Sequence, residues 1–110
     1  MKLPNAGHAV VPPEKLRDYL LSTRHPVGQF KARFFAALGY HADEWPVFER
    51  DIRGLLAGDV AKTSMTAYGQ KYEVRGTITG PSGRVADIVT VWIVRHGEDF
   101  PRLVTVHPGG

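Results

Sequence analysis

The chain has 110 residues, 43% of them hydrophobic and 23% charged, which is enough apolar material for one core and too little chain for two. It contains no cysteine, which excludes disulfide staples, thiolate metal sites and a cysteine nucleophile. The net charge of +3 is unevenly spread: no acid lies between Asp18 and Asp43, where Arg24, Lys31, Arg33, His25 and His41 occur, an excess that suits an anionic partner or a solvated basic face.

Helical spacing dominates the first half. Pro12 and Pro13 precede "EKLRDYLLS", where Leu16, Tyr19 and Leu20 recur at helical intervals, and proline in the first turn suits a helix start. After the break at "STRHP", a second helix is predicted from about Pro26 to Leu38, with Gly39 as its left-handed C-cap. At about 100° per residue, Val27, Phe30, Phe34, Ala37 and Leu38 form its apolar face, and Gln29, Arg33 and Ala36 point away. Lys31 interrupts that face beside the open space left by Gly28. Its ammonium either snorkels to the helix edge or is aimed into a cleft. A third helix is predicted over "EWPVFERDIRGLLAG", with Trp45, Phe48, Ile52, Leu55 and Leu56 on one stripe.

The second half switches to a period of two. "VAKTSMTA", "QKYEVRGTITG", "RVADIVTVWIVR" and "RLVTVHP" read as strands, and Gly80-Pro81-Ser82-Gly83 as a hairpin turn. With Thr79 opposite Arg84, residues Val74, Ile78, Val85, Val89, Val91 and Ile93 form a core face. Lys71, Glu73, Arg75, Thr77, Thr90 and Trp92 then form a mixed polar face, with Thr105 and His107 alongside Trp92 and Thr90. The expected architecture is α+β: N-terminal helices packed on a three- to four-stranded antiparallel sheet, a single domain over 1–110 with helices at about 13–57 and the sheet at about 60–107.

No metal and no cofactor are expected. The five histidines fall in no ligand motif, and the chain lacks a P-loop, a dinucleotide fingerprint and a G-x-S-x-G elbow. A cationic and hydroxyl constellation remains. RNA cleavage by its own 2′-hydroxyl needs a base, an acid for the leaving 5′-oxygen and positive donors around the phosphorane. Candidate catalytic residues are His25 or Lys31 as base, His107 or His25 as acid, and Arg75, Thr77 and Thr90 around the phosphate. Arg33, Lys71 and Trp92 are candidate substrate contacts, and Tyr72 or Trp92 could stack a base where its ring reaches an open surface. Each also has a structural use: Lys31 as a snorkelling residue, Arg75 as a partner for Glu73 or Asp87, the threonines as strand formers, and His25 as a cap at a helix entrance.

"LPNAGHAVVPPEKLRDYLL", "HPVGQFKARFFAALGY", "YGQKYEVRGTITGPSGR" and "VTVWIVRHGEDFPRLVTVHP" together resemble a bacterial domain family of uncharacterised function, found alone and at the ends of larger polymorphic-toxin-like proteins. More loosely, the chain resembles the barnase, EndoU, colicin and RelE-like ribonuclease toxins, which set a helix lysine or histidine against sheet arginine, threonine or serine without a metal. The resemblance implies a metal-independent endoribonuclease toxin, with transfer RNA a candidate substrate, neutralised by a cognate immunity or antitoxin protein. The alternative is a non-catalytic RNA- or protein-binding partner in such a pair. No signal peptide or membrane span is read from the sequence, so a cytoplasmic protein, or one delivered into a target cell's cytoplasm, is expected.

Overall fold

A computed structural model describes residues 1–109. Helix α1 (Pro13–Lys15) starts on a proline, whose missing N–H has no helical partner at that position, and continues through a π-helical turn over Leu16–Leu20 that buries both leucines. Helix α2 (Gln29–Ala37) and helix α3 (Trp45–Gly54) follow, the latter running into a 3₁₀ turn at Leu55–Ala57. Gly39 adopts the expected left-handed conformation after α2, with φ of 98°.

The phase of α2 differs from the expected one. Its buried stripe is Gly28, Ala32, Phe35 and Leu38, while Val27 and Phe30 are 66% and 68% exposed. With phenylalanines on both sides of the helix, apolar area does not choose the face; close approach does. Gly28 lies against the Tyr19 carbonyl, where a Cβ would collide, and Ala32 continues the small-residue surface one turn later. Phe30 instead lies beneath the Arg33 guanidinium, 5.9 Å from the ring centre. In this phase Lys31 borders the buried stripe.

Strands β1 (Val60–Thr66), β2 (Gly69–Thr79), β3 (Val85–Arg95) and β4 (Arg102–Pro108) form an antiparallel sheet in the order β1-β2-β3-β4, which gives the α+β architecture anticipated from the sequence. The helices pack on one face, where Val74, Ile78, Ile88, Trp92, Leu103 and Val106 join Leu16, Leu20, Phe35, Phe48 and Ile52 in the core. The hairpin turn is tied to the end of α2, because the Ser82 amide and hydroxyl donate to the carbonyls of Leu38 and Ala37 at 3.0 and 3.1 Å.

The β2–β3 register is shifted by one residue from expectation: Thr79 lies opposite Val85, not Arg84. Gly80 and Arg84 close the ladder through a 2.9 Å bond, leaving Pro81-Ser82-Gly83 as the connection, with Gly83 left-handed at φ 87°. An odd-numbered connection with a left-handed last residue replaces the four-residue turn. Because side chains alternate, that shift moves all of β3 to the other face. Thr90 and Trp92, expected on the polar face, are in the core and fully buried. Trp92 Nε1 donates to Thr90 Oγ1 at 2.8 Å, and the Thr90 hydroxyl donates to the Val74 carbonyl at 2.9 Å, which satisfies both polar groups internally.

Candidate functional site

The sheet face turned away from the helices carries Lys71, Glu73, Arg75 and Thr77 on β2, and Val89, Val91 and Ile93 in the centre on β3. Arg102, Thr105 and His107 follow on β4. Two rows cross it: Glu73–Val91–Thr105 and Arg75–Val89–His107. The register slip thus replaces Thr90 and Trp92 with apolar residues yet leaves the β2 and β4 polar residues on a common face. Each row spans about 10 Å from β2 to β4, and Thr105 and His107 are about 7 Å apart along their strand.

Lys31 completes this face from the side. Helix α2 contacts β4, the edge strand, and the Lys31 ammonium donates to Thr105 Oγ1 at 3.0 Å. Burial between helix and strand lowers the Lys31 pKa, and the nearby Lys15 ammonium lowers it further. Its cationic neighbour is therefore Lys15. Lys15 itself donates to the Val104 carbonyl at 2.9 Å.

The two candidate histidines are prepared differently. His107 Nδ1 lies 3.1 Å from the Pro108 carbonyl, which can only accept, so Nδ1 carries the proton and Nε2 of the neutral ring keeps a free lone pair. His25 Nδ1 instead accepts from the amides of Val27 and Gly28 at 3.1 and 3.0 Å, and the ring sits edge-on to Tyr19 with centroids 4.7 Å apart. With Nδ1 accepting, the neutral His25 ring carries its hydrogen on Nε2 and has no free lone pair. It caps the entrance to α2.

The remaining candidates divide. Arg75 is exposed on the open face, 3.9 Å from the Glu73 carboxylate, which also lies 4.0 Å from Lys62. Thr77 donates to Asp87 at 2.8 Å, so its hydroxyl is already engaged. Lys71 lies on the open face toward the β1–β2 turn, and Arg33 is exposed on α2 beside Phe30. Lys31, Arg75, His107 and Lys71 therefore share one surface, Thr90 and Trp92 are buried behind it, and His25 is committed to the α2 entrance. The sequence offered Glu73 only as a partner for Arg75 and not as a site residue, although it is the only acid in a strictly alternating strand and faces the same way as Lys71 and Arg75. It places one carboxylate among the cations.

Residues 2–110 match the family model described as "Domain of unknown function (DUF6883)", and the chain belongs to that family. No curated protein matches the sequence. Among solved structures, a chain of the "Contact-dependent growth inhibition toxin - immunity protein complex from Klebsiella pneumoniae 342" is similar at 18% identity and a TM-score of 0.73, with 96% of this chain and 97% of that one covered. A likeness at this identity is a likeness of fold.

Proposed function

We propose that this DUF6883 domain is the toxin member of a bacterial toxin–immunity pair and cleaves RNA without a metal. The observation that carries the reading is the Lys31–Thr105 contact at 3.0 Å, made on the sheet face that also bears His107 and Arg75. The toxin role is favoured over the immunity role by charge: the chain is net positive, and Lys15, Lys31, Lys71 and Arg95 form no ion pair among the described residues, as a polyanion-binding protein requires.

In this mechanism His107 Nε2 takes the proton of a substrate 2′-hydroxyl. The 2′-oxygen attacks the adjacent phosphorus while the P–O5′ bond breaks. Lys31 and Arg75 stabilise the charge that builds on the phosphorane oxygens, and Lys31, held by Thr105, gives a proton to the departing 5′-oxygen. The products are a 2′,3′-cyclic phosphate and a 5′-hydroxyl. Glu73 keeps the Arg75 guanidinium on the face without entering the proton transfers.

The test is incubation of the purified protein with total bacterial RNA and with transfer RNA in EDTA, beside Lys31→Met, His107→Ala and Arg75→Ala proteins whose folding is checked by circular dichroism. Fragments ending in 2′,3′-cyclic phosphate are expected from the wild type, with losses of about 100-fold or more in the Lys31 and His107 variants. Intact RNA at high protein concentration, with salt-sensitive binding retained, would instead establish the non-catalytic partner of such a pair.

A further inference from the structure

A second feature lies at the opposite end of the open face from Thr77. Between the β1–β2 turn and the beginning of β4 runs a groove of about 870 Å³, bordered by Lys15, Lys71, Arg95, Arg102, Tyr68 and His96, with Ile93 in its floor. Lys71, Ile93 and Arg102 form a row across β2, β3 and β4, parallel to the two rows described above. Arg102 is committed to Glu98 by two bonds of 3.0 and 2.9 Å, but Lys15, Lys71 and Arg95 form no ion pair among the described residues. Glu98, held by Arg102, also feels the Arg95 charge, so Arg95 is partly balanced; together with Lys15 and Lys71 it gives one groove a net positive lining that attracts an extended polyanion.

Tyr68 supplies what a phosphate strip alone would lack. It is 78% exposed, yet its backbone is fixed. Thr66 Oγ1 accepts the amides of Tyr68 and Gly69 at 3.1 and 3.2 Å and donates to the Gly69 carbonyl at 2.9 Å, while the Tyr68 carbonyl accepts the His96 amide at 3.1 Å. A single exposed aromatic is ordinary on a protein surface. An aromatic ring on a braced turn, at the rim of a groove lined by unpaired cations, has the two parts of a single-strand binding site: a stacking platform and an electrostatic track. The groove is also continuous with the candidate catalytic position, because Lys15 borders it and bonds Val104, the residue beside the Lys31 partner Thr105.

We propose that this groove binds single-stranded nucleic acid, with Lys15, Lys71 and Arg95 on successive phosphates and one base stacked on Tyr68, so that a strand leaving Thr105 is held along the edge of the sheet. The assignment rests on the ribonuclease reading for its substrate but not for its measurement. Binding of a labelled 2′-O-methyl oligonucleotide, which carries no free 2′-hydroxyl and cannot be cut by this mechanism, is followed by fluorescence anisotropy across a salt series. Tyr68→Ala is expected to weaken affinity roughly 5- to 100-fold with an unchanged salt slope, and Tyr68→Trp to restore it. Lys71→Ala and Arg95→Ala are each expected to lower the slope of log affinity against log salt by about one. Poly-glutamate serves as the comparison polyanion and is expected to bind without sensitivity to Tyr68. Equal Tyr68 dependence for poly-glutamate and oligonucleotide, or unchanged oligonucleotide affinity and slope in all the alanine variants, would overturn the assignment. Since the oligonucleotide reports binding alone, cleavage without groove dependence removes only the groove, and groove-dependent binding without cleavage of natural RNA removes only the ribonuclease.

Discussion

Lys31 sits where packing and chemistry make opposite demands. Its stem borders the buried stripe of α2, and its head is partly desolvated beside Lys15, so folding lowers its proton affinity below that of an exposed lysine. The cost of holding that charge is present in full at pH values below the folded pKa. It is relieved as pH rises from that value toward the ordinary 10.5, because across this window the unfolded chain binds more protons than the folded one. Urea midpoints measured between pH 8 and 11 should therefore rise with pH in the wild type relative to Lys31→Met; parallel profiles would mean that Lys31 titrates as an exposed lysine. Thr90 makes the complementary case. Its hydroxyl links Trp92 Nε1 to the Val74 carbonyl inside the core, so Thr90→Val strands a buried indole N–H and should cost about 1–3 kcal/mol of stability. Cleavage per folded molecule should stay within about twofold of wild type. A variant of normal stability that no longer cleaves would return Thr90 to the reacting face and contradict the register.

Helices and strands were legible because they are changes of period; phase and parity were not, because single contacts set them. The three helices, the Gly39 cap and the four strands follow from spacing and turn residues, and the structure contains all of them. Helix α2, however, carries Phe30 and Phe34 on one side and Phe35 on another, and the close approach of Gly28 to the Tyr19 carbonyl, which no count of apolar residues encodes, goes with burial of the Ala32 and Phe35 side. The β2–β3 hairpin turns on whether its connection has an odd or even number of residues, a choice made by Gly83 and by the Ser82 bonds to the end of α2. His25 had two readings in the sequence, a catalytic group or a cap at a helix entrance, and its bonds to the amides of Val27 and Gly28 match the cap; the choice depends on backbone geometry that a residue list does not encode. The Gly28 contact is open to direct measurement. Gly28→Ala, whose Cβ would run into backbone rather than a movable side chain, should destabilise the protein by about 1–3 kcal/mol. Gly54→Ala, at an α3 position with open space and helical backbone, should be neutral or stabilise it by up to about 1 kcal/mol. Equal effects in denaturant titrations would show that Gly28 is not a contact point.

At the scale of the whole molecule, the helices fill one side of the sheet and leave the other side with Lys71, Arg75, His107 and the approach to Lys31 open to solvent. In the toxin–immunity pairing proposed above, an inhibitor does best by covering that face and matching its charge, so a partner of that kind should present an acidic surface to it. Charge pairs at the rim of an interface act mainly on the association rate, which they raise at low salt and lose to screening. Expression of this chain alone in a bacterial cytoplasm should arrest growth, Lys31→Met should relieve the arrest, and a co-expressed immunity protein should restore growth to the wild-type producer. Stopped-flow association of the purified pair should slow by about tenfold or more between low and physiological salt. Arg95→Ala and Lys71→Ala should slow association at low salt while changing dissociation little, because both cations lie toward the end of the face rather than at its centre. A protective partner whose association rate ignores salt and these two substitutions would bind the helical side instead and would have to inhibit without covering the site.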